Sequence, residues 1–130
     1  MKKTGILNSQ LNALIANLSH TDTFVIADSG FPVAPGVPIV DLRVIYGIPK
    51  FAQVLDAVVP EVAIEGGWYA SEMPGANAES FAALSAAVPG LEAVSHDELK
   101  AKAANARFVV RTAEDTPYAN VLLIAGVAFM

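Results

Sequence analysis

Residues 23–32 read TFVIADSGFP, and this stretch decides the fold. Its first half, Thr23–Ala27, lacks polar alternation and is rich in β-branched residues, a pattern typical of a strand buried on both faces of a sheet. The residues Asp28–Pro32 that follow are turn formers. A strand of this kind needs cover on both sides, so the stretch favours an α/β domain.

Helical and strand patterns alternate along the rest of the chain. Ser9–Leu18 carries leucine and isoleucine on one helical face, and Asn8 or Ser9 is placed to cap it. The remaining predicted elements are helices from Pro49 to Val58, over Asn77–Ala87 and from Ser95 to near Asn105, and strands at Val37–Leu42, Glu61–Gly66, Phe108–Val110 and Asn120–Val127. We therefore predict a single α/β domain over residues 1–130, with a mainly parallel central sheet and helices on both faces.

The charge balance and the absence of cysteine exclude several classes of function. The 130 residues include 8 basic and 13 acidic side chains, a net charge of −5, and no basic run is longer than Lys2–Lys3. We therefore expect neither nucleic acid nor an anionic membrane as a partner. A chain without cysteine has no thiol nucleophile, disulfide or thiolate metal site.

The chain is unusually apolar for its length. Hydrophobic residues make up 54% of it and charged residues 16%, whereas a typical domain is about 25% charged. The apolar run Val121–Met130 is much shorter than the ~20 residues of a membrane-spanning helix, and Lys2–Lys3 is not followed by a signal-peptide core. We expect a cytoplasmic domain that covers part of its apolar surface with copies of itself.

Ligands of an open α/β sheet bind outside the carboxyl ends of its strands, and three segments follow predicted strands. These segments are Asp28, Gly66–Tyr69 and the polar loop Thr112–Ala119. Asp28 either caps the turn after it through the amides of residues 29–31 or faces a ligand. The carboxylate therefore has two open interpretations.

Tyr118 and Asn120 stand at the end of the polar loop. Tyr118 offers a flat face and a hydroxyl, and Asn120 a donor and an acceptor, which together suit the hydroxyls of a sugar. The alternative is a turn begun by Thr116–Pro117, in which Tyr118 packs and Asn120 starts the next strand. Composition alone does not choose between the two.

The two histidines are the side chains best suited to move protons near neutral pH. His20 precedes the strand 23–27, where it either complements the dipole of the first helix or performs chemistry. His96 follows the capping Ser95. It is either an exposed residue of the first helical turn or a neutral imidazole that binds a ligand. His20–Asp22 has no third ligand at metal-site spacing, so no metal is predicted.

Nucleotide-binding, nucleophile-elbow and zinc-protease motifs do not occur in the sequence, which favours proton transfer without a cofactor.

Several segments in register resemble the D-ribose pyranase family, within the ribose/fucose mutarotase group. The segments are MKKTGILNS at 1–9, HTD at 20–22, IADSGFP at 26–32, SHDE at 95–98, and TPYANV at 116–121 followed by AGV at 125–127. The likeness runs from the first residue to the last. Phe31 stands where the family usually has leucine, and Ala113 where it usually has a glycine. Ala113 would be strained if that glycine needs a positive φ.

The resemblance implies an enzyme that interconverts the pyranose and furanose rings of D-ribose without a metal or a nucleotide. His20 matches the family's proton donor, and Asp28, His96, Tyr118 and Asn120 match residues that bind the sugar. The family assembles into rings, which implies a homo-oligomer, here a decamer of two pentameric rings, with each site in a cleft between neighbouring subunits.

We hypothesise that His20 protonates the ring oxygen, because an imidazole titrates near neutral pH and can both take and give a proton. Asp28 would orient either the sugar or the imidazole. Two alternative functions remain open, one enzymatic and one not. One is an L-fucose mutarotase, and the other is a non-catalytic sugar-binding module linked to ribose uptake.

Overall fold

A computed structural model of the chain describes residues 1–129, so Met130, the last residue of the predicted domain, lies outside the described part. The described residues form six strands and five α-helices. In chain order they are α1 Ser9–Ala16, β1 Thr23–Ala27, β2 Ile39–Asp41, α2 Phe51–Val58, β3 Ile64–Ala70, α3 Met73–Ala76, α4 Ala78–Ala87, β4 Glu92–Val94, α5 His96–Ala103, β5 Val109–Arg111 and β6 Val121–Ala125. The α/β class is confirmed.

The six strands form one mixed sheet in the order β2-β5-β1-β6-β3-β4. Neighbours pair in parallel except at β6, which is antiparallel to both β1 and β3. The prediction of a mainly parallel sheet holds for five strands and is wrong for β6. A parallel return would need a crossover of about a dozen residues or more, whereas the short loop 112–120 that precedes β6 contains no helix.

Alternate residues of β1 fill two separate cores, as expected of a strand covered on both faces. Phe24 and Ile26 pack in the core that includes Leu11 of α1 and residues of α2 and α4. Val25 and Ala27 point to the opposite face, where they pack with Leu99 of α5. The predicted cover on both faces is confirmed.

The strand predicted to end at Gly66 continues to Ala70. Gly67 is buried in β3, and a Cβ there would run into the backbone carbonyl of Leu122 on β6. The glycine therefore allows close approach of two strands and does not mark a turn. The short elements α3 and β4 were not predicted from the sequence.

Local details agree with several other sequence predictions. The side chain of Asn8 accepts the Leu11 amide at the start of α1, and Ser95 Oγ accepts the Glu98 amide at 3.1 Å at the start of α5. Ala113 is fully buried and lies outside the left-handed region of φ. Ala113 therefore does not have the backbone strain that a positive φ would cause.

Candidate functional site

Four of the predicted site residues lie at one edge of the sheet, where β1 and β4 end and β6 begins. Asp28 directly follows β1 and His96 follows β4, while Tyr118 and Asn120 precede β6. Because β6 runs against its neighbours, its start lies at their carboxyl ends. We call this edge the cleft edge.

A pair of hydrogen bonds joins Asp28 to Asn120. The Asp28 amide donates to Asn120 Oδ1 at 2.8 Å, and Asn120 Nδ2 donates to Asp28 Oδ2 at 3.0 Å. Asn120 is fully buried, so its side chain is fixed and holds the carboxylate in place. Asp28 Oδ1 also accepts the Gly30 amide at 2.9 Å, which is the turn-capping contact considered from the sequence.

The loop 112–119 is anchored by the buried carboxylate of Glu114. Glu114 Oε1 accepts the amide of Phe51 at the start of α2, and its Oε2 accepts the hydroxyl of Thr116. Asn77 Nδ2 donates to Thr116 Oγ1 and to the Pro117 carbonyl, both at 2.8 Å. The loop that carries Tyr118 is thus held from two helices.

The rings of His96 and Tyr118 meet edge to face, with centroids 5.1 Å apart. Tyr118 has a left-handed backbone with a φ of 59°, a conformation that is uncommon for a bulky residue and concentrates at functional sites. Phe31, only 2% exposed, lies on another side of His96 at 6.1 Å. The Nδ1 atom of His96 is buried without a hydrogen-bond partner among the described residues, so its capacity for a hydrogen bond is unused there.

Glu72 also belongs to this edge, although nothing in the sequence singled it out. Its carboxylate accepts the backbone amide of His96 at 3.1 Å and the hydroxyl of Ser71. Partial burial works to raise the pKa of Glu72, but hydrogen bonds from backbone amides, that of His96 among them, outweigh it and lower the pKa. Glu72 therefore stays ionised and fixes the start of α5.

His20 does not join this cluster. It precedes β1, whereas Asp28 follows it, so the length of the strand separates them, about 13 Å for four steps of ~3.3 Å. His20 Nε2 lies 2.9 Å from Oε2 of Glu65, near the start of β3. We call this opposite side of the sheet the donor edge. Within one chain, Asp28 cannot orient the His20 imidazole.

An open cleft of about 400 Å³ runs along the cleft edge between Asp28–Gly30, Tyr46 and the segment Glu114–Pro117. A larger open groove, about 670 Å³, lies away from it between Thr21–Thr23 and Ala104–Arg107. Of the predicted sugar-binding residues, Asp28 lines the smaller cleft, and none of them lines the larger groove. In residues 1–129, no three His, Asp or Glu side chains cluster as a metal site would require, and no helix there is long and apolar enough to cross a bilayer.

The fold and this site define a class of small α/β proteins with a polar cleft at the end of a mixed sheet. The chain belongs to the RbsD / FucU transport protein family, whose model matches residues 1–128. It is 51% identical to D-ribose pyranase 2 of Streptomyces griseus, covering 99% of this chain and all of that one. It is 45% identical to the D-ribose pyranase of Geobacillus kaustophilus, covering 99% and 96%.

A solved structure of Bacillus subtilis RbsD complexed with D-ribose matches with a TM-score of 0.95 and 43% identity, covering 99% of this chain and 100% of that one. The fucose mutarotase of Streptococcus pneumoniae, solved with L-fucose, matches with a TM-score of 0.79 at 15% identity, covering 95% of each chain. The second likeness shows the shared fold alone.

Proposed function

We propose that the protein is a D-ribose pyranase, an isomerase that interconverts the β-pyranose and β-furanose forms of D-ribose, and that residues 1–130 form one mutarotase domain. The observation that carries this is the Asp28 carboxylate, which lines the cleft and is held by Asn120 and Gly30, while the unpartnered Nδ1 of His96 lies at the same edge of the sheet. Full-length relatives named D-ribose pyranase, at 45–51% identity, support it. The fucose mutarotase of Streptococcus pneumoniae, at 15% identity, shares the fold but does not support the L-fucose alternative.

The cleft edge suits a pentose because its donors and acceptors are held before the sugar arrives. Asp28 is bound to Asn120 and Gly30, and its carboxylate has further lone pairs to accept sugar hydroxyls. His96 Nδ1 can exchange a hydrogen bond with another hydroxyl, and the half-buried Tyr118 lies beside it. Preorganised groups of this kind lose little entropy on binding.

The reaction itself needs only proton transfer. The C1–O5 bond of the pyranose breaks as the anomeric hydroxyl loses a proton and O5 gains one. O4 then attacks the free aldehyde and loses its proton as the aldehyde oxygen gains one, which closes the furanose. An imidazole that moves these protons typically contributes ~10²–10⁴-fold. We assign this role to His20.

His20 must come from a second copy of the chain, because within one chain it lies at the donor edge, away from the cleft. The exposed apolar segment 44–48 beside the cleft supports such an assembly. Its side chains Val44, Ile45, Tyr46 and Ile48 are between 53% and 78% exposed, and Tyr46 also lines the cleft. Clusters of this kind mark interaction sites. We propose a homo-oligomer, a decamer of two pentameric rings, located in the cytoplasm.

Proton NMR of D-ribose at equilibrium tests the proposal. Saturation transfer between the pyranose and furanose anomeric signals should increase as the protein is added. The His20→Ala variant should lose this exchange, about 10²-fold or more, with only modest loss of sugar binding. Unchanged exchange in that variant would remove His20 from the mechanism. Binding without exchange by the unaltered protein would favour a sugar-binding module, and exchange of L-fucose alone would change the substrate.

A further inference from the structure

We infer that Glu65 is the positioning residue of the proton donor, because its carboxylate holds the His20 imidazole so that only Nδ1 is free to face the sugar. The inference rests on the proposed function, since it assumes that His20 moves the protons. Its starting point is the 2.9 Å contact between His20 Nε2 and Glu65 Oε2. Both side chains are about half exposed, at 53% and 43%, so a neighbouring molecule can reach the free side of the ring.

The contact determines which nitrogen carries the proton. An ionised carboxylate only accepts hydrogen bonds, so the neutral imidazole must keep its hydrogen on Nε2 to bind Glu65. Nδ1 then has a free lone pair. A hydrogen bond at one ring nitrogen sets the role of the other in this way wherever histidine acts as a base or a ligand.

The backbone of β3 is built to place Glu65 at this position. Ile64 pairs with Ala125 and Gly66 with the adjacent Ile124, so Glu65 is an extra residue in the ladder. A bulge of this kind redirects a side chain, and bulges concentrate next to active sites. Gly126 makes room for it, because a Cβ at Gly126 would lie 3.2 Å from the Cβ of Glu65.

The backbone that carries His20 is held by the same end of β6. The Thr21 amide donates to the Ala125 carbonyl at 2.9 Å, and the Ala125 amide donates to the Asp22 carbonyl at 2.8 Å. Thr21 has a φ of 73°, which is rare for a β-branched residue and needs strong support from its surroundings. Ala125 thus supports both the histidine turn and the bulge.

This geometry lets one nitrogen perform both proton transfers. Neutral Nδ1 takes the proton of the anomeric hydroxyl, and the resulting imidazolium gives a proton from Nδ1 to the ring oxygen as the C1–O5 bond breaks. The ring and the sugar exchange one proton in each direction, so the protein ends as it began. During the intermediate state the Glu65 carboxylate offsets the positive charge of the ring.

The test compares Glu65→Gln with the unaltered protein. The glutamine amide can either donate or accept, so it no longer selects one tautomer. Nitrogen-15 NMR of the full chain should show Nε2–H for neutral His20 in the unaltered protein and a mixture in the variant. The chain has only two histidines, so a His20→Asn variant assigns the signals. Glu92→Gln, an exposed change on β4, is the matched control.

We expect Glu65→Gln to lower kcat for ribose ring exchange about 10–100-fold while KM changes less than about twofold, since loss of an orienting carboxylate acts on the reacting state. Unchanged exchange, or a loss of exchange with the tautomer unaltered, would overturn the inference. If the unaltered protein does not exchange ribose, the proposed function fails. In that case the inference fails with it, although the tautomer comparison still decides whether Glu65 fixes the ring.

Discussion

The proposed sharing of one site between two copies of the chain can be tested by mixing inactive variants. His20→Ala removes the proposed proton donor, and Asp28→Asn removes the charge that we propose binds the sugar. The structure sets the scale, because β1, which lies between the two positions, spans about 13 Å from Thr23 to Ala27. A general acid must lie within about 2.6–3.2 Å of the atom that it protonates. One pentose cannot contact both residues of the same chain.

If each site takes His20 from one copy and Asp28 from the next, a randomly assembled 1:1 mixture of the two variants has about one intact site in four. We therefore expect such a mixture, refolded or co-expressed, to recover about a quarter of the unaltered exchange rate, measured by NMR saturation transfer with D-ribose. Each variant alone should be close to inactive.

A second mixture supplies the control. When the unaltered chain is mixed 1:1 with the double variant His20→Ala/Asp28→Asn, shared sites leave about a quarter of full activity, whereas sites within one chain leave about half. Tagged subunits must copurify, which verifies that the copies have mixed. Mixed oligomers of the two single variants with no recovered activity would refute the shared site.

Two further predictions concern Asn120 and the ion pair between Asp41 and Arg43. Asn120→Ala removes a hydrogen bond to the Asp28 carboxylate and leaves the Asp28 amide without its acceptor, which should lower the free energy of unfolding by about 2–4 kcal/mol. Urea unfolding at fixed protein concentration measures this, and a change below about 1 kcal/mol would contradict the role of the pair. The side-chain hydrogen bond from Arg43 lowers the pKa of Asp41 to about 2. The stability it provides is therefore present above pH ~4 and is lost as the pH falls toward 2. Because the side chains of the pair are about 40% exposed, this stability is under about 1 kcal/mol. In a plot of the urea unfolding midpoint against pH, Asp41→Asn should reduce the fall between pH ~4 and 2. An unchanged profile would contradict it.

The fold was predictable where the sequence pattern depends on local physics. Apolar runs placed β1 and β6, and the caps Asn8 and Ser95 placed two helix starts. The direction of β6 was not predicted, because it depends on how the short loop 112–120 returns to the sheet. Gly67 was misinterpreted because a glycine at a turn and a glycine under a neighbouring strand look alike in sequence.

The candidate site was predictable to the extent that it follows strand ends. Asp28, Tyr118 and Asn120 come together because the carboxyl-end rule applies to β1 and to the loop before β6. Glu65 and Glu72 were missed, since their contacts depend on the β3 bulge and on where α5 begins. No local pattern in the sequence encodes the bulge, and Ser95 marks the start of α5 without showing that Glu72 lies beside it.

If the site is shared as proposed, the separation of His20 from the cleft constrains how the copies assemble. The donor edge and the cleft edge are different surfaces of one chain. When the donor edge of one copy contacts the cleft edge of the next copy, the interface joins two unlike surfaces. Such head-to-tail contacts either close into a ring or continue as a filament. In a closed ring every His20 meets a cleft and every cleft receives a His20, so no active site is left incomplete. A filament would leave an unmatched edge at each end, which is why catalysis shared between subunits favours a closed ring.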